Sequence, residues 1–177
     1  EKFYNKKWNT TNMVSSLISA DSWLSKSNCI ISYGDIFFHT GNIKSFLNSK
    51  KDISILFDVN WKSYWKKRFQ NPLDDAETFK IKNDNSIYEI GKKTKRYKDI
   101  MGQYMGIIKF SPIGWNKFKE AVNQFPKNKQ KDLFITDVLN KIAQTKFKIY
   151  GYRYLDNWIE IDNFNDYNIA NNLLNKY

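Results

Sequence analysis

The sequence predicts an α/β fold of three layers, a mostly parallel central sheet with helices on both faces. Three observations carry this reading. Strand-like and helix-like segments alternate along the chain, the order from which parallel sheets are built. Two near-continuous apolar runs read as buried strands: Cys29 to Phe38, broken at Gly34-Asp35, and Ile53 to Val59, interrupted by Ser54 and Asp58. The 177 residues contain three prolines and seven glycines, with no repeat, low-complexity tract or linker, so residues 1–177 form a single domain.

The elements follow in order. Thr10 or Thr11 caps a helix that turns Met13, Val14, Leu17 and Ile18 inward. The first apolar run is a strand, and Ile43, Phe46 and Leu47 follow at helical spacing. After the second run, Trp61, Tyr64 and Trp65 sit in a basic turn or short helix. Thr78 to Ile90 predicts a hairpin around Asn83-Asp84-Asn85, and residues 91–99 a basic loop. Tyr104 to Phe110 is a strand. Trp115, Phe118, Val122 and Phe125 mark a helix that Pro126 ends. Asp132 caps a helix with Phe134, Ile135, Val138, Leu139 and Ile142. Lys146 to Tyr150 and Trp158 to Ile161 are short strands, and Asn163 to Leu174 a closing helix.

Composition narrows the classes. No run approaches the ~20 apolar residues that a membrane span requires. A lone cysteine, Cys29, excludes a disulfide framework and fits a reducing cytoplasm; its apolar setting predicts a buried small side chain. The net charge of +11, from 29 Lys+Arg against 18 Asp+Glu, favours anionic partners or a lysine-rich solvated surface.

Several residues stand out chemically. Asp35 ends a strand, where a carboxylate either ligates a hard divalent cation or caps the next turn. Glu160 and Asp162 are two apart on a strand and share a face. They repel unless a cation lies between them, or they form a solvated edge with Asp162 capping the last helix. Lys92, Lys93, Lys95, Arg96 and Lys98 crowd one loop, as a phosphate clamp or a solvated face. Lys66, Lys67 and Arg68 among Trp61, Tyr64 and Trp65 suit single-stranded nucleic acid, or buried aromatics beneath a wet basic face. His39, the only histidine, has no partner at zinc spacing and reads as a surface or capping residue.

In order, these segments resemble the sugar-nucleotide-type nucleotidyltransferases, above all the phosphocholine- and phosphoglutamine-type cytidylyltransferases used for surface polysaccharides. The resemblance runs over nearly the whole chain. Thr10-Thr11-Asn12-Met13-Val14-Ser15-Ser16-Leu17 is similar to the segment beside the nucleotide, and Ile31-Ser32-Tyr33-Gly34-Asp35-Ile36 to the metal-binding Asp segment. Trp65 to Phe69 with Asn71 to Thr78 resembles the phosphoglutamine-type subgroup. Ile90-Gly91-Lys92-Lys93 resembles the phosphate-lysine loop. Gln103-Tyr104-Met105-Gly106 is similar to the next motif, where many relatives carry Glu in place of Gln103. Trp158-Ile159-Glu160-Ile161-Asp162 resembles the closing motif, with its second metal-binding Asp.

The resemblance implies roles. Asp35 and Asp162 hold Mg²⁺ against the phosphates of CTP or another nucleoside triphosphate. Lys92 or Lys93 holds the phosphate of a small phosphorylated metabolite. Asn12, Ser15, Tyr33, Gln103 and Glu160 line the substrate pocket. The acceptor phosphate attacks the α-phosphorus of CTP and pyrophosphate leaves. Such chemistry depends on positioning and charge neutralisation. The competing class is a basic RNA- or polyanion-binding module, and a third reading is an inactive scaffold of the same fold. One departure is large: the family's first strand and glycine-rich triphosphate loop have no counterpart here. The expectation is therefore a fragment lacking its first strand–helix units, with little turnover alone, whose uncovered sheet edge favours a homodimer or another association.

Overall fold

The computed structural model describes residues 1–174. Its strands are β1 (Cys29–Ser32), β2 (Ile36–Phe38), β3 (Ile53–Asp58), β4 (Glu77–Ile81), β5 (Ser86–Lys93), β6 (Gln103–Phe110), β7 (Ile149–Tyr154) and β8 (Trp158–Glu160). Its helices are α1 (Met13–Ile18), α2 (Asp21–Leu24), α3 (Lys44–Leu47), α4 (Trp61–Arg68), α5 (Pro112–Asn123), α6 (Lys127–Gln130), α7 (Ile135–Ala143) and α8 (Phe164–Leu174). No helix among the described residues is long and apolar enough to cross a membrane.

β3 explains the architecture. All six of its residues are buried. Ile53, Ile55 and Phe57 join one apolar core with α5 and α7, while Leu56 joins a second core with α4 and α8. Successive side chains of a strand point to opposite faces, so both faces of β3 are covered and its sequence reads as continuously apolar. Its two polar interruptions are partnered: Ser54 Oγ lies 2.8 Å from Ser49 Oγ, and Asp58 Oδ2 accepts the Trp158 indole N–H at 2.9 Å. In the first core Trp115 stacks on Phe118 at 5.5 Å, both fully buried. Burial of each such ring contributes ~1.5–3 kcal/mol.

The α/β class and the helices on both faces stand, while the pairing inside the sheet is more antiparallel than the alternation implies. The six-stranded order is β1-β6-β3-β7-β5-β4. Only β3 with β7 is a parallel pair among the described strands. β6 inserts between β1 and β3 and runs against both, and β4–β5 is a hairpin. The hairpin is the expected one, with Asn85 at φ 62°, a left-handed turn position that Asn tolerates.

The run from Cys29 to Phe38 is not one buried strand. β1 is a sheet edge with alternate burial, Cys29 is half-buried and Ile30 is exposed. Gly34-Asp35 carries the chain off the sheet, and β2 pairs instead with β8 in a separate two-stranded ribbon. Two caps also shift. Asn12, not Thr10 or Thr11, caps α1 by accepting the Met13 N–H at 2.7 Å. The Asp137 carboxylate, not Asp132, accepts the Phe134 N–H at 2.8 Å and opens α7. β7 starts later than expected, at Ile149.

Asp21 fastens α2 to α5. Its Oδ1 accepts from Lys119 Nζ at 2.6 Å, Trp115 Nε1 at 2.6 Å and Ser25 Oγ at 2.8 Å. The Lys119 bond, then those of Trp115 and Ser25, hold its carboxyl down at about 2. An unfolded Asp titrates near ~3.9. The unfolded chain therefore binds more protons in the window between, so this contribution is complete above ~pH 4 and is lost as pH falls through about 2. Asp21→Asn should flatten the acid limb of stability over that window. Urea midpoints measured across it check this, and an unchanged slope would remove Asp21 from that role.

Candidate functional site

β8 has three residues and cannot fix its own position, so side chains from α4 hold it. On one edge it pairs with β2, Ile36 opposite Glu160. On the other, the Tyr64 hydroxyl donates to the Glu160 carbonyl at 2.9 Å and accepts the Glu160 N–H at 3.2 Å. Tyr64 thus replaces a neighbouring strand for that residue. Where the ribbon ends, the Ile161 N–H donates to the Asp35 carbonyl at 2.9 Å. Asp35 and Asp162, far apart in sequence, arrive at the same end of one ribbon.

Beneath the ribbon lies Arg68. Its side chain is 1% exposed and reaches Glu160 Oε2 at 2.7 Å, Asp162 Oδ2 at 2.5 Å and both Asp166 oxygens at 3.1 and 3.0 Å. Burial works against the guanidinium's charge, and the bonds to Asp166 and Glu160 outweigh it and push its pKa up. Burial raises the Glu160 carboxyl to about 6 against the pull of Arg68, and the charges of Asp162 and Asp35 add to the rise.

Glu160 and Asp162 form one wall of a cavity of about 370 Å³. Tyr33, Gln103 and Tyr104 line it with Phe79 and Ile90, and Met13, Trp65, Asp75, Glu77, Thr78, Lys93, Phe134 and Thr136 complete the lining. Burial raises the Glu77 carboxyl, while the Thr136 hydroxyl and Lys93 pull it back. Asp75 accepts the Trp65 indole N–H at 2.9 Å. Four carboxylates therefore face one lysine across this space. The Tyr104 hydroxyl is buried with no partner among the described residues.

A bulge decides which lysine enters. The β4–β5 register slips between Glu77/Lys93 and Phe79/Ile90, and Gly91 takes φ +82°. Residues three apart on a regular strand face opposite ways, but across this bulge Ile90 and Lys93 both line the cavity. Glu89 and Lys92 pair with each other outside it at 3.0 Å. Lys93 Nζ donates to the Asp75 carbonyl at 3.1 Å. A Cβ on Gly91 would lie 2.6 Å from the Thr136 Cβ, so the bulge also allows α7 to close over β5.

The chain is 31% identical over 175 residues to the CTP:phosphoglutamine cytidylyltransferase of Campylobacter jejuni subsp. jejuni serotype O:2, a match covering 93% of this chain and 69% of that enzyme. The chain belongs to the cytidylyltransferase-type nucleotidyltransferase family. No protein-family model matches it. Solved nucleotidyltransferases share its fold. The inositol-1-phosphate CTP transferase of T. maritima superposes with a TM-score of 0.68 at 20% identity, over 92% of this chain and 60% of that one. The CTP:phosphocholine cytidylyltransferase of Streptococcus pneumoniae gives 0.67 at 15% identity, over 96% and 67%. The chain thus spans 60% of the T. maritima chain's length.

Against the sequence expectations for this family, the structure brings Tyr33, Lys93, Gln103, Glu160 and Asp162 to one cavity, with Asp35 at the adjoining ribbon end. Lys92 stays outside on Glu89. Asn12 and Ser15 are not among the lining residues; Asn12 is occupied as a cap and as a donor to the Asp132 carbonyl at 3.2 Å, and its neighbour Met13 takes the lining position. The Gln103 amide is engaged by backbone, donating to the Glu77 carbonyl at 2.7 Å. Arg68 does not lie on a wet basic face, and Trp61, Tyr64 and Trp65 are buried at 4%, 7% and 3% exposure, so they offer bases no stacking platform. His39 is anchored through its backbone N–H to the Tyr154 hydroxyl at 2.9 Å.

Sequence reasoning named Arg68 only as part of a basic cluster, and Asp75 and Glu77 only within a resembling segment, and assigned none of them to the site. For Arg68 a signal exists: with Trp61, Tyr64 and Trp65 it completes the i, i+3, i+4, i+7 stripe of one helix face, so its charge points inward. Asp75 and Glu77 carry no comparable pattern.

Gly91→Ala should cost ~1–3 kcal/mol, because a Cβ there meets both a left-handed φ and Thr136. Denaturant midpoints check this, and a loss below about 0.5 kcal/mol would show that the bulge is not constrained. Tyr104→Phe removes a buried hydroxyl that has no partner among the described residues, so stability should hold or rise by about 1 kcal/mol. A clear loss in the same titration would reveal a partner for that hydroxyl.

Proposed function

We propose that this chain carries the acceptor- and cation-binding part of a cytidylyltransferase, which moves CMP from CTP to a small phosphorylated acceptor. The observation that carries the reading is the arrival of Asp35 and Asp162 at one ribbon end, with Asp162 lining a cavity in which Lys93 is the one lysine among the described residues. Family membership supplies the reaction class, and the C. jejuni relative's name supplies CTP and phosphoglutamine as that enzyme's substrates.

The donor set fits Mg²⁺. Hard cations take carboxylate oxygens, and Mg²⁺ is commonly held by one or two carboxylates plus substrate phosphates. Asp162 is half-exposed, and only its Oδ2 is engaged by Arg68, leaving Oδ1 open among the described residues. The Asp35 carboxylate makes no hydrogen bond or ion pair among them. No group of three His, Cys, Asp or Glu stands close enough to hold a metal unaided among the described residues, in keeping with a cation that substrate phosphates help to hold. Mg²⁺ at this pair would neutralise phosphate charge and orient the α-phosphate.

The chain's own residues do the remaining work. Lys93 draws the acceptor phosphate into a space otherwise walled by carboxylates, which disfavour a second anion and set the acceptor's direction. Tyr33, set edge-on to Tyr104 at 5.9 Å, gives the cavity a rigid aromatic surface. An acceptor phosphate oxygen then bonds to the α-phosphorus as the α-phosphorus–oxygen bond to the β-phosphate breaks, and pyrophosphate leaves with that oxygen.

The test is pyrophosphate release by the protein expressed from its complete gene, with CTP, Mg²⁺ and a panel of phosphorylated acceptors. Asp35→Asn should lower turnover at least ~100-fold, and Lys93→Ala should raise the acceptor KM ~10–100-fold with a smaller effect on kcat. Release that is undiminished in Asp35→Asn would overturn the reading.

A further inference from the structure

Arg68 occupies a position for which packing alone gives no reason. It is charged, its side chain is 1% exposed, and it lies on the apolar face of α4. Its guanidinium carbon sits 5.5, 5.4 and 5.1 Å from the ring centroids of Tyr64, Trp65 and Phe69, so aromatic rings wall it. The open directions are filled by carboxylates.

Those carboxylates are not equivalent. Asp166 is as buried as Arg68 and takes a two-point bond through Nε and Nη2. It is itself held by the Asp162 N–H at 3.2 Å and the Asn163 side-chain amide at 3.0 Å. This inner pair is electrically complete and anchors the fork. The outer nitrogens then reach Glu160 Oε2 and Asp162 Oδ2, each by a single oxygen. Both acids line the cavity, and their remaining oxygens bond nothing among the described residues. Three carboxylates against one guanidinium leave two negative charges over. A purely structural pair would stop at Asp166, because each further acid adds repulsion.

We propose that Arg68 is the positioning residue of the cation site. It grips one oxygen of Asp162, so that the free oxygen stands preset for a divalent cation at the ribbon end, and it holds Glu160 beside that acid by one oxygen. The inference rests on the reading of Asp35 and Asp162 as cation ligands. It requires the guanidinium shape as well as the charge: a lysine is a point charge and cannot serve three carboxylates from one plane. Groups that orient metal-ligating carboxylates typically govern affinity by ~10–100-fold.

The experiment titrates Mn²⁺ in the presence of saturating CTP, with protein-bound Mn²⁺ followed by electron paramagnetic resonance, into the wild-type chain, Asp35→Asn, Arg68→Lys and the core control Ile142→Val. Wild type should bind Mn²⁺ and Asp35→Asn should not. Arg68→Lys, folded by circular dichroism, should bind ~10–100-fold more weakly. Ile142→Val should lower the thermal midpoint and leave Mn²⁺ affinity unmoved. If Arg68→Lys does not fold, Arg68→Lys with Asp166→Asn is read in its place, since it removes the buried carboxylate that lysine leaves unmatched. A folded Arg68→Lys chain, or its double variant, within twofold of wild type overturns the positioning role alone. An equal loss in Ile142→Val overturns it too, by showing that affinity follows stability. Wild type that binds no Mn²⁺, or binds it as well after Asp35→Asn, overturns the cation reading itself.

Discussion

The guanidinium of Arg68 lies where α4, β8 and α8 meet, and satisfying it constrains all three. A buried charge stripped of one partner costs ~3–5 kcal/mol, so alternatives that misplace any carboxylate are strongly disfavoured. The rotational phase of α4 follows. With Arg68 inward, Trp61, Tyr64 and Trp65 are inward too, where they build the second core. Tyr64 then meets the free edge of β8, and Trp158 of that strand reaches Asp58 at the end of β3. A three-residue strand is positioned by one helix and one sheet, and the two acids that follow from it are as well placed as the core itself.

The contrast between the whole molecule and its cavity follows from different ranges of electrostatics. The chain carries +11 overall, yet Asp75, Glu77, Glu160 and Asp162 line a cavity with one lysine. Net charge acts at long range on encounter with anions, and salt screens it beyond ~10 Å. Inside the cavity the four acids act at contact. A phosphorylated ligand drawn by the surface would meet local repulsion except at Lys93 and beside a cation. Attraction at a distance and selectivity on contact are thereby carried by different residues.

Much of the fold was legible because burial leaves a periodic trace. β3 could be read from its continuous apolar run, the β4–β5 hairpin from Asn83-Asp84-Asn85, and α5 from its apolar spacing and Pro126. Partner choice leaves no such trace. Nothing in β6 says that it inserts between β1 and β3, and an apolar Ile36-Phe37-Phe38 looks the same in a main sheet as in a ribbon with β8. The excess of antiparallel pairs has that origin: alternation reports element type and leaves the direction of pairing open.

The site was legible in its residue types and hidden in its geometry. Asp35, Glu160 and Asp162 stand out as acids at strand ends, but only the β2–β8 register brings Asp35 to the ribbon end that carries the other two. The lysine choice turned on a backbone feature, since a regular strand would put Lys93 opposite Ile90 and the Gly91 bulge puts them together. Local rules are broken at several points around this one cavity. Arg68 is a charge on an apolar face, Gly91 and Gly106 hold positive φ within strands, and Tyr104 buries a hydroxyl without a partner among the described residues. Gly106 makes room for Tyr33 as Gly91 does for Thr136, so each irregularity seats a lining residue. Sequences that fold well agree with their structure at every level except where function demands otherwise. The clustering of these exceptions is therefore an argument for the site that does not depend on the chain's relatives.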